Sequence, residues 1–414
     1  MDAEARPKLR LKSALRWLAV GGPGLLVMLA DTDAGNVVTA AQAGAQWGYR
    51  LLPLVLLLIP MLAMLQELTV RLGLHTGRGH GELIREHFGA GWAWLSVAGL
   101  AVAVIGSLVT EFTGVAGIGE LFGLPRGLTL PLAVAALLAI VATGSHRRVE
   151  RVAIFVGLFE LAFFAVAWAA HPDFSAMVRD AFDLPLRNRD FTFLAAAVIG
   201  AVFNPWMIFY QQSAVADQKL SRGDLRASRF DTAAGAVLTQ CLTGAVLIAA
   251  AAALGSRGGA AGLDSVGEIS AALSPLLGER VGRVVFSAGV LGASMVAAIV
   301  CSLALAWGVG EVAGTRRSRA FRPFEAKWFY GLYAGFVAAA AALVGCVPDL
   351  VWLNISAQVL NAFLLPLVIG LLIALAVQVL PEALRPRGVY LWALVGICAV
   401  VIGMGLYGGV AGLL

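Results

Sequence analysis

The chain has 414 residues, 60% of them hydrophobic and 13% charged, with a mean hydropathy of +0.85, which excludes a soluble globular domain. Its formal charge of +5 comes from cations spread over short segments between apolar runs, without aromatic interleaving, so a nucleic-acid surface is not expected. No phosphate-binding loop or catalytic domain is recognisable, and neither an ATP-driven pump nor an enzyme is expected.

In chain order, a basic arm from Arg6 to Arg16 runs directly into a long apolar stretch with no small-residue cleavage site, so no removable signal peptide is expected. Eleven candidate spans begin near residues 15, 51, 92, 127, 150, 192, 231, 283, 328, 350 and 388, each close to the ~20 apolar residues that cross a bilayer. An odd number places the termini on opposite sides. Of the 30 Lys and Arg, 22 lie in one set of alternate segments (the N-terminal arm, 71–85, 147–151, 219–229, 316–327 and 385–387). The positive-inside rule then predicts a multi-pass protein of the plasma membrane, N-terminus cytoplasmic and C-terminus outside. The 48 glycines suit helices that approach closely in lipid. Cys241, Cys301, Cys346 and Cys398 are scattered in or beside apolar segments and are read as buried, inert thiols.

Two spans carry breaking residues at mid-membrane. The first contains Ala30-Asp31-Thr32-Asp33-Ala34-Gly35-Asn36 and the sixth Gly200-Ala201-Val202-Phe203-Asn204-Pro205-Trp206. Irregular backbone at that depth is tolerated only where it lines a cavity buried in protein. The breaks occupy corresponding positions in two five-span halves, the pattern of an inverted-repeat transporter with discontinuous helices at its midplane site. The expected architecture is an all-α membrane protein forming one transport domain over residues 1–414. Its two inverted five-helix repeats cover about 15–170 and 192–378, with broken helices 1 and 6 and an additional helix at about 388–411.

A carboxylate in the bilayer centre is costly unless it is paired or faces water, and a bound cation is its natural partner here. Asp33 supplies charge, Asn36 and Asn204 side-chain carbonyls, and the unwound stretch at Ala201 a backbone carbonyl. Such oxygen-only sets suit magnesium, calcium and manganese. The bland alternative is that Asp33 and Asn36 only cap a broken helix, which leaves the second break unexplained.

These residues resemble the Nramp family of divalent-metal transporters, and most closely its Nramp-related magnesium transporter branch. The family's first-span motif Asp-Pro-Gly-Asn reads here Asp33-Ala34-Gly35-Asn36, and Ala43-Gly44-Ala45 and Gly48-Tyr49 are also family-like. The sixth-span motif Ala-x-x-Met-Pro-His reads Ala201-Val202-Phe203-Asn204-Pro205-Trp206, so the metal-selecting methionine is Asn204 and the proton-associated histidine is Trp206. Of the acidic pair in the third span, Glu111 is present and Leu108 replaces the other member. The resemblance implies a LeuT-type fold, with Gln358 in the tenth span matching a glutamine that helps line the substrate site. It also implies uptake of magnesium, and manganese, by alternating access without proton coupling. The transported Mg2+ or Mn2+ and the lipid bilayer are then the partners, no cofactor is needed, and a monomer suffices. The rivals are a proton-coupled manganese or iron importer, which needs titratable groups at 108 and 206, and a sodium-coupled amino-acid carrier, against which Asp33 argues.

Other polar residues have open readings. Glu67, Glu111, Glu160 and Glu311 could line an ion path or bond neighbouring helices. Asp31 points away from Asp33 and could attract cations from an inner vestibule. His75, His80 and His87 read as polar loop residues rather than a second metal site, and Tyr210, Gln211 and Gln212 as ion contacts or packing residues.

Overall fold

The computed structural model describes residues 23–142, 158–218, 220, 222–254, 263, 265–273, 278–314 and 327–413. The described residues are helical throughout the interior. The first span is two pieces, α1 (Pro23–Asp31) and α2 (Ala34–Trp47), parted at Thr32 and Asp33. There follow α3 (Leu52–Thr76), the short α4 (His80–Phe88), α5 (Ala90–Leu121), α6 (Arg126–Ala142), a 3-10 turn at Leu158–Leu161, α7 (Ala162–Ala169) and α8 (Phe174–Phe182). The sixth span is again two pieces, α9 (Arg189–Val202) and α10 (Pro205–Asp217). The chain continues through α11 (Leu225–Leu254), α12 (Val266–Leu273), α13 (Glu279–Ala313), α14 (Lys327–Cys346), α15 (Leu350–Val379) and α16 (Gly388–Leu413).

Among the described residues seven segments are long and apolar enough to cross a membrane: α3, α5, α9 with α10, α11, α13, α15 and α16. The pair α7 and α8 adds an eighth when its 100° bend is counted within one span, and α6 and α14 are shorter apolar helices. The helices begin within a few residues of the expected starts, except that the start near 150 lies outside the described residues, as does the start near 15. Three short helices, α4, α8 and α12, were not expected, and each is too short to show as a spanning apolar run.

Local chemistry explains where the helices stop. Pro205 opens α10 at its first position, where a missing N–H costs nothing. Gly77 takes φ 64°, the left-handed conformation that closes α3 and turns the chain into α4. The broken first span lies along α11 in constant register, since Gly24 N donates to Asp231 (3.0 Å), the Thr32 and Thr239 hydroxyls meet at 2.7 Å, and the Thr243 hydroxyl donates to Asn36 Oδ1 (3.2 Å). All three pairs are 207 residues apart, so α1, α2 and α11 run parallel. α9 packs between α15 and α16, and α5 packs on α13 and α15, which brings both helix breaks against α5 and α15. The thiol reading needs correction: Cys301 and Cys398 are buried, but Cys241 and Cys346 are exposed on outward helix faces.

Candidate functional site

Asp33 sits at the N-cap of α2 in extended backbone (φ −82°, ψ 179°), and its Oδ1 accepts the Asn36 N–H at 2.7 Å. Capping uses Oδ1; Oδ2 is buried and finds no hydrogen-bond partner among the described residues. The Asn36 amide bridges the break, its Nδ2 donating to the Asp31 carbonyl at 2.8 Å, so one of the carbonyls that α1 would orphan at its end is satisfied. The second break repeats the device. Asn204 Nδ2 donates to the Ala201 carbonyl at 3.1 Å, while its Oδ1 accepts from Asn361 Nδ2 at 2.6 Å and the Ser107 hydroxyl at 3.1 Å.

Gln358 joins the two halves. Its Oε1 accepts from Asn361 Nδ2 at 3.0 Å, and its Nε2 is buried without a partner. A Cβ at Gly35 would collide with Gln358 Nε2, and one at Gly200 with the Gln358 carbonyl oxygen, so both broken spans reach α15 only because these positions carry no side chain. Asp33, Asn36, Ala201, Asn204 and Gln358 therefore lie in one region, and each is at most 1% exposed. Among the described residues no three His, Cys, Asp or Glu side chains converge as a metal centre, and the site is built instead from one carboxylate, amides and backbone carbonyls.

Its electrostatics are one-sided. Asp33 Oδ2, both Asp31 oxygens, Asn361 Oδ1 and Asn354 Oδ1 are buried acceptors that find no donor among the described residues, and a buried acceptor left unmade costs about 1–3 kcal/mol. A cation satisfies several of them at once. Glu111 on α5 accepts the Ala34 N–H at 3.3 Å and lies beside Asp33. Trp206, in the position of the family's histidine, is fully buried with its indole N–H unpartnered, and Leu108 is fully buried.

The remaining expectations divide. Glu67 is no ion-path residue, because Arg71 at 2.6 Å, Arg229 and the Tyr390 hydroxyl hold it. Glu311 accepts from Gly81 N at 2.9 Å and the Ser213 hydroxyl at 2.5 Å, tying α13 to α4 and α10. Asp31 is fully buried, so it does not line an open vestibule. Gln211 bonds Thr232, Gln212 bonds His80 and the Arg78 carbonyl, and Tyr210 stacks on Trp307, all of which is packing. His80 is not a loop residue but is fully buried against Phe209, and burial lowers its pKa from 6.5 to about 4. Sequence reasoning missed Asn361, Asn354 and Ser107. The first two lie with Gln358 at i, i+4 and i+7 on α15, a polar stripe in an otherwise apolar helix that was there to be read.

The described family Natural resistance-associated macrophage protein-like (Nramp) matches residues 24–411. The chain is 28% identical over 374 residues to a divalent metal cation transporter MntH of Yersinia pestis, spanning 88% of this chain and 86% of that one. It is 32% identical over 309 residues to MntH 1 of Pseudomonas aeruginosa, spanning 68% and 67%. The fold superposes on the Eremococcus coleocola manganese transporter with a TM-score of 0.73 at 18% identity, covering 95% of this chain and 85% of that one. With the family match running through both helix breaks, the chain belongs to the Nramp family.

Proposed function

We propose that this protein carries divalent metal cations, magnesium and also manganese, into the cell across the plasma membrane by alternating access and without proton coupling. The observation that carries the reading is the set of buried oxygens with no donor among the described residues, lying between two broken helices and centred on Asp33. The relatives named as divalent-metal and manganese transporters support the cation class. Asn204 stands where the family has a thioether, so every side-chain ligand is a hard oxygen donor, and Gln358 Nε2 is free to donate to a water retained by the ion. Asp33, Asn36, Asn204, Gln358 and the Ala201 carbonyl surround the ion once Asn204 releases that carbonyl.

The architecture of the reading is eleven crossings in one domain, two inverted five-helix repeats plus a last helix, acting as a monomer with the N-terminus in the cytoplasm. Leu108 and Trp206 cannot titrate, which argues against the proton-coupled importer; that rival draws only on Glu111 beside Asp33. Uptake into proteoliposomes tests the substrate class. Magnesium and manganese entry above protein-free vesicles, with cadmium a poor competitor, is expected; cadmium entry with no magnesium entry overturns the magnesium assignment.

A further inference from the structure

Asn204 stands at the N-cap of α10 in extended backbone (φ −85°, ψ 132°), where an asparagine ordinarily accepts a hydrogen bond from the first turn, yet its side chain makes no capping bond. Asp33, at the matching place before α2, does cap. The Asn204 amide is turned instead towards α5 and α15. Its Oδ1 accepts from Asn361 Nδ2 at 2.6 Å and from the Ser107 hydroxyl at 3.1 Å, while its Nδ2 donates to the Ala201 carbonyl at 3.1 Å. An amide oxygen has two lone pairs, so both are spent. Asn361 is aimed by its own helix, since the same Nδ2 also donates to Gln358 Oε1 at 3.0 Å, one turn earlier on α15. Asn204, Asn361 and Gln358 are 0% exposed and Ser107 1%, and bulk water is not at hand to replace a bond that breaks there.

An ion centred on Asp33 draws on the Asn204 oxygen and the Ala201 carbonyl, and both are engaged here by donors of the protein itself. Coordination takes a lone pair, so Asn361 or Ser107 must let go of Oδ1 before a cation can have it. The N–H and O–H dipoles give that oxygen its positive partner while no ion does. When the ion departs they take the oxygen back.

We propose that Asn361 and Ser107 are positioning residues that act through Asn204, competing with the cation for its carbonyl oxygen and thereby lowering affinity in favour of release. The proposal rests on the transport reading of the site. It fixes the sign of the effect: removing either donor tightens ion binding, whereas a packing residue or a metal ligand at the same position would weaken binding when removed.

The test is equilibrium binding of Mn2+ to the full chain in nanodiscs, the unbound ion counted by electron paramagnetic resonance. Binding should tighten about tenfold in Asn361→Leu, which loses the shorter hydrogen bond, and about threefold in Ser107→Ala. Ser107→Thr, which keeps the hydroxyl, should bind as the wild type does. In an Asn204→Ala background neither change should tighten binding further, because the oxygen they compete for is gone. In uptake, Asn361→Leu should lower KM and kcat together, as an ion held more firmly leaves more slowly. Unchanged or weaker binding in both Asn361→Leu and Ser107→Ala, with binding lost in Asp33→Asn, overturns the competition and leaves the transport reading standing. No Mn2+ bound by the wild type overturns both. Should Asn361→Leu not elute as a folded species, the Ser107 pair decides: tighter binding in Ser107→Ala with Ser107→Thr as wild type supports the competition, and no tightening in Ser107→Ala refutes it.

Discussion

His80 makes the contact between α4 and α10 sensitive to acid. Its Nδ1 donates to Gln212 Oε1 at 3.0 Å, an orientation set by Gln212 Nε2 donating to the Arg78 carbonyl at 3.0 Å, and its Nε2 is buried with no acceptor. The neutral ring fits and the imidazolium does not, which is why burial takes its pKa from 6.5 down to about 4. A base with a lowered folded value binds fewer protons folded than opened. Stability is therefore complete above pH 6.5 and is lost as pH falls from 6.5 toward about 4. At pH 5 the opened form gains about thirtyfold, or about 2 kcal/mol, and the full window is worth about 3 kcal/mol. Hydrogen exchange of the α4 amides, corrected for intrinsic rates, reads this opening directly. Protection should drop about thirtyfold between pH 7.5 and pH 5 in the wild type, and His80→Gln should flatten the slope. Equal slopes in both proteins, or no loss of protection by pH 5, would refute the assignment.

Three further outcomes follow from the site. Asp33→Asn removes the one carboxylate of the transport site and should lower magnesium uptake by more than tenfold, a cost above ~1.4 kcal/mol, with the protein still monodisperse; wild-type uptake would dismiss Asp33 as a ligand. Asn204→Met exchanges a hard oxygen for a thioether, so calorimetry should show weaker magnesium binding and stronger cadmium binding, and unchanged profiles would clear Asn204 of a selectivity role. Gly200→Ala drives a Cβ into the Gln358 carbonyl and should destabilise by about 1–3 kcal/mol. Gly335→Ala, with open space around it, should leave the thermal midpoint in place, and matching midpoints for the two variants would show that α9 and α15 are not held at close approach.

Both helix breaks were legible in the sequence because Asp, Gly, Asn and Pro are conspicuous inside apolar spans, and the spans themselves because lipid demands long apolar runs. What escaped was whatever depended on partners distant in the chain. Asp33 could be singled out from its own span, but the sharing of Asn204 Oδ1 between Ser107 and Asn361 joins three helices. Glu67 invited an ion-path reading although Arg71, one helical turn on, already offered a partner; Arg229 completed the pairing only through the fold. His80 read as a loop residue because Gly77 and Gly79 hide the short helix it begins, and its burial comes from Phe209 on α10.

The most direct measurement of the central claim follows magnesium and protons together in proteoliposomes that hold one dye for each, under an inward magnesium gradient with the membrane potential clamped. The account predicts magnesium entry by the wild type, none by Asp33→Asn, and an internal pH that stays flat while the ion enters. Acidification that tracks magnesium would contradict the uncoupled mechanism, and equal entry through both proteins would contradict the site.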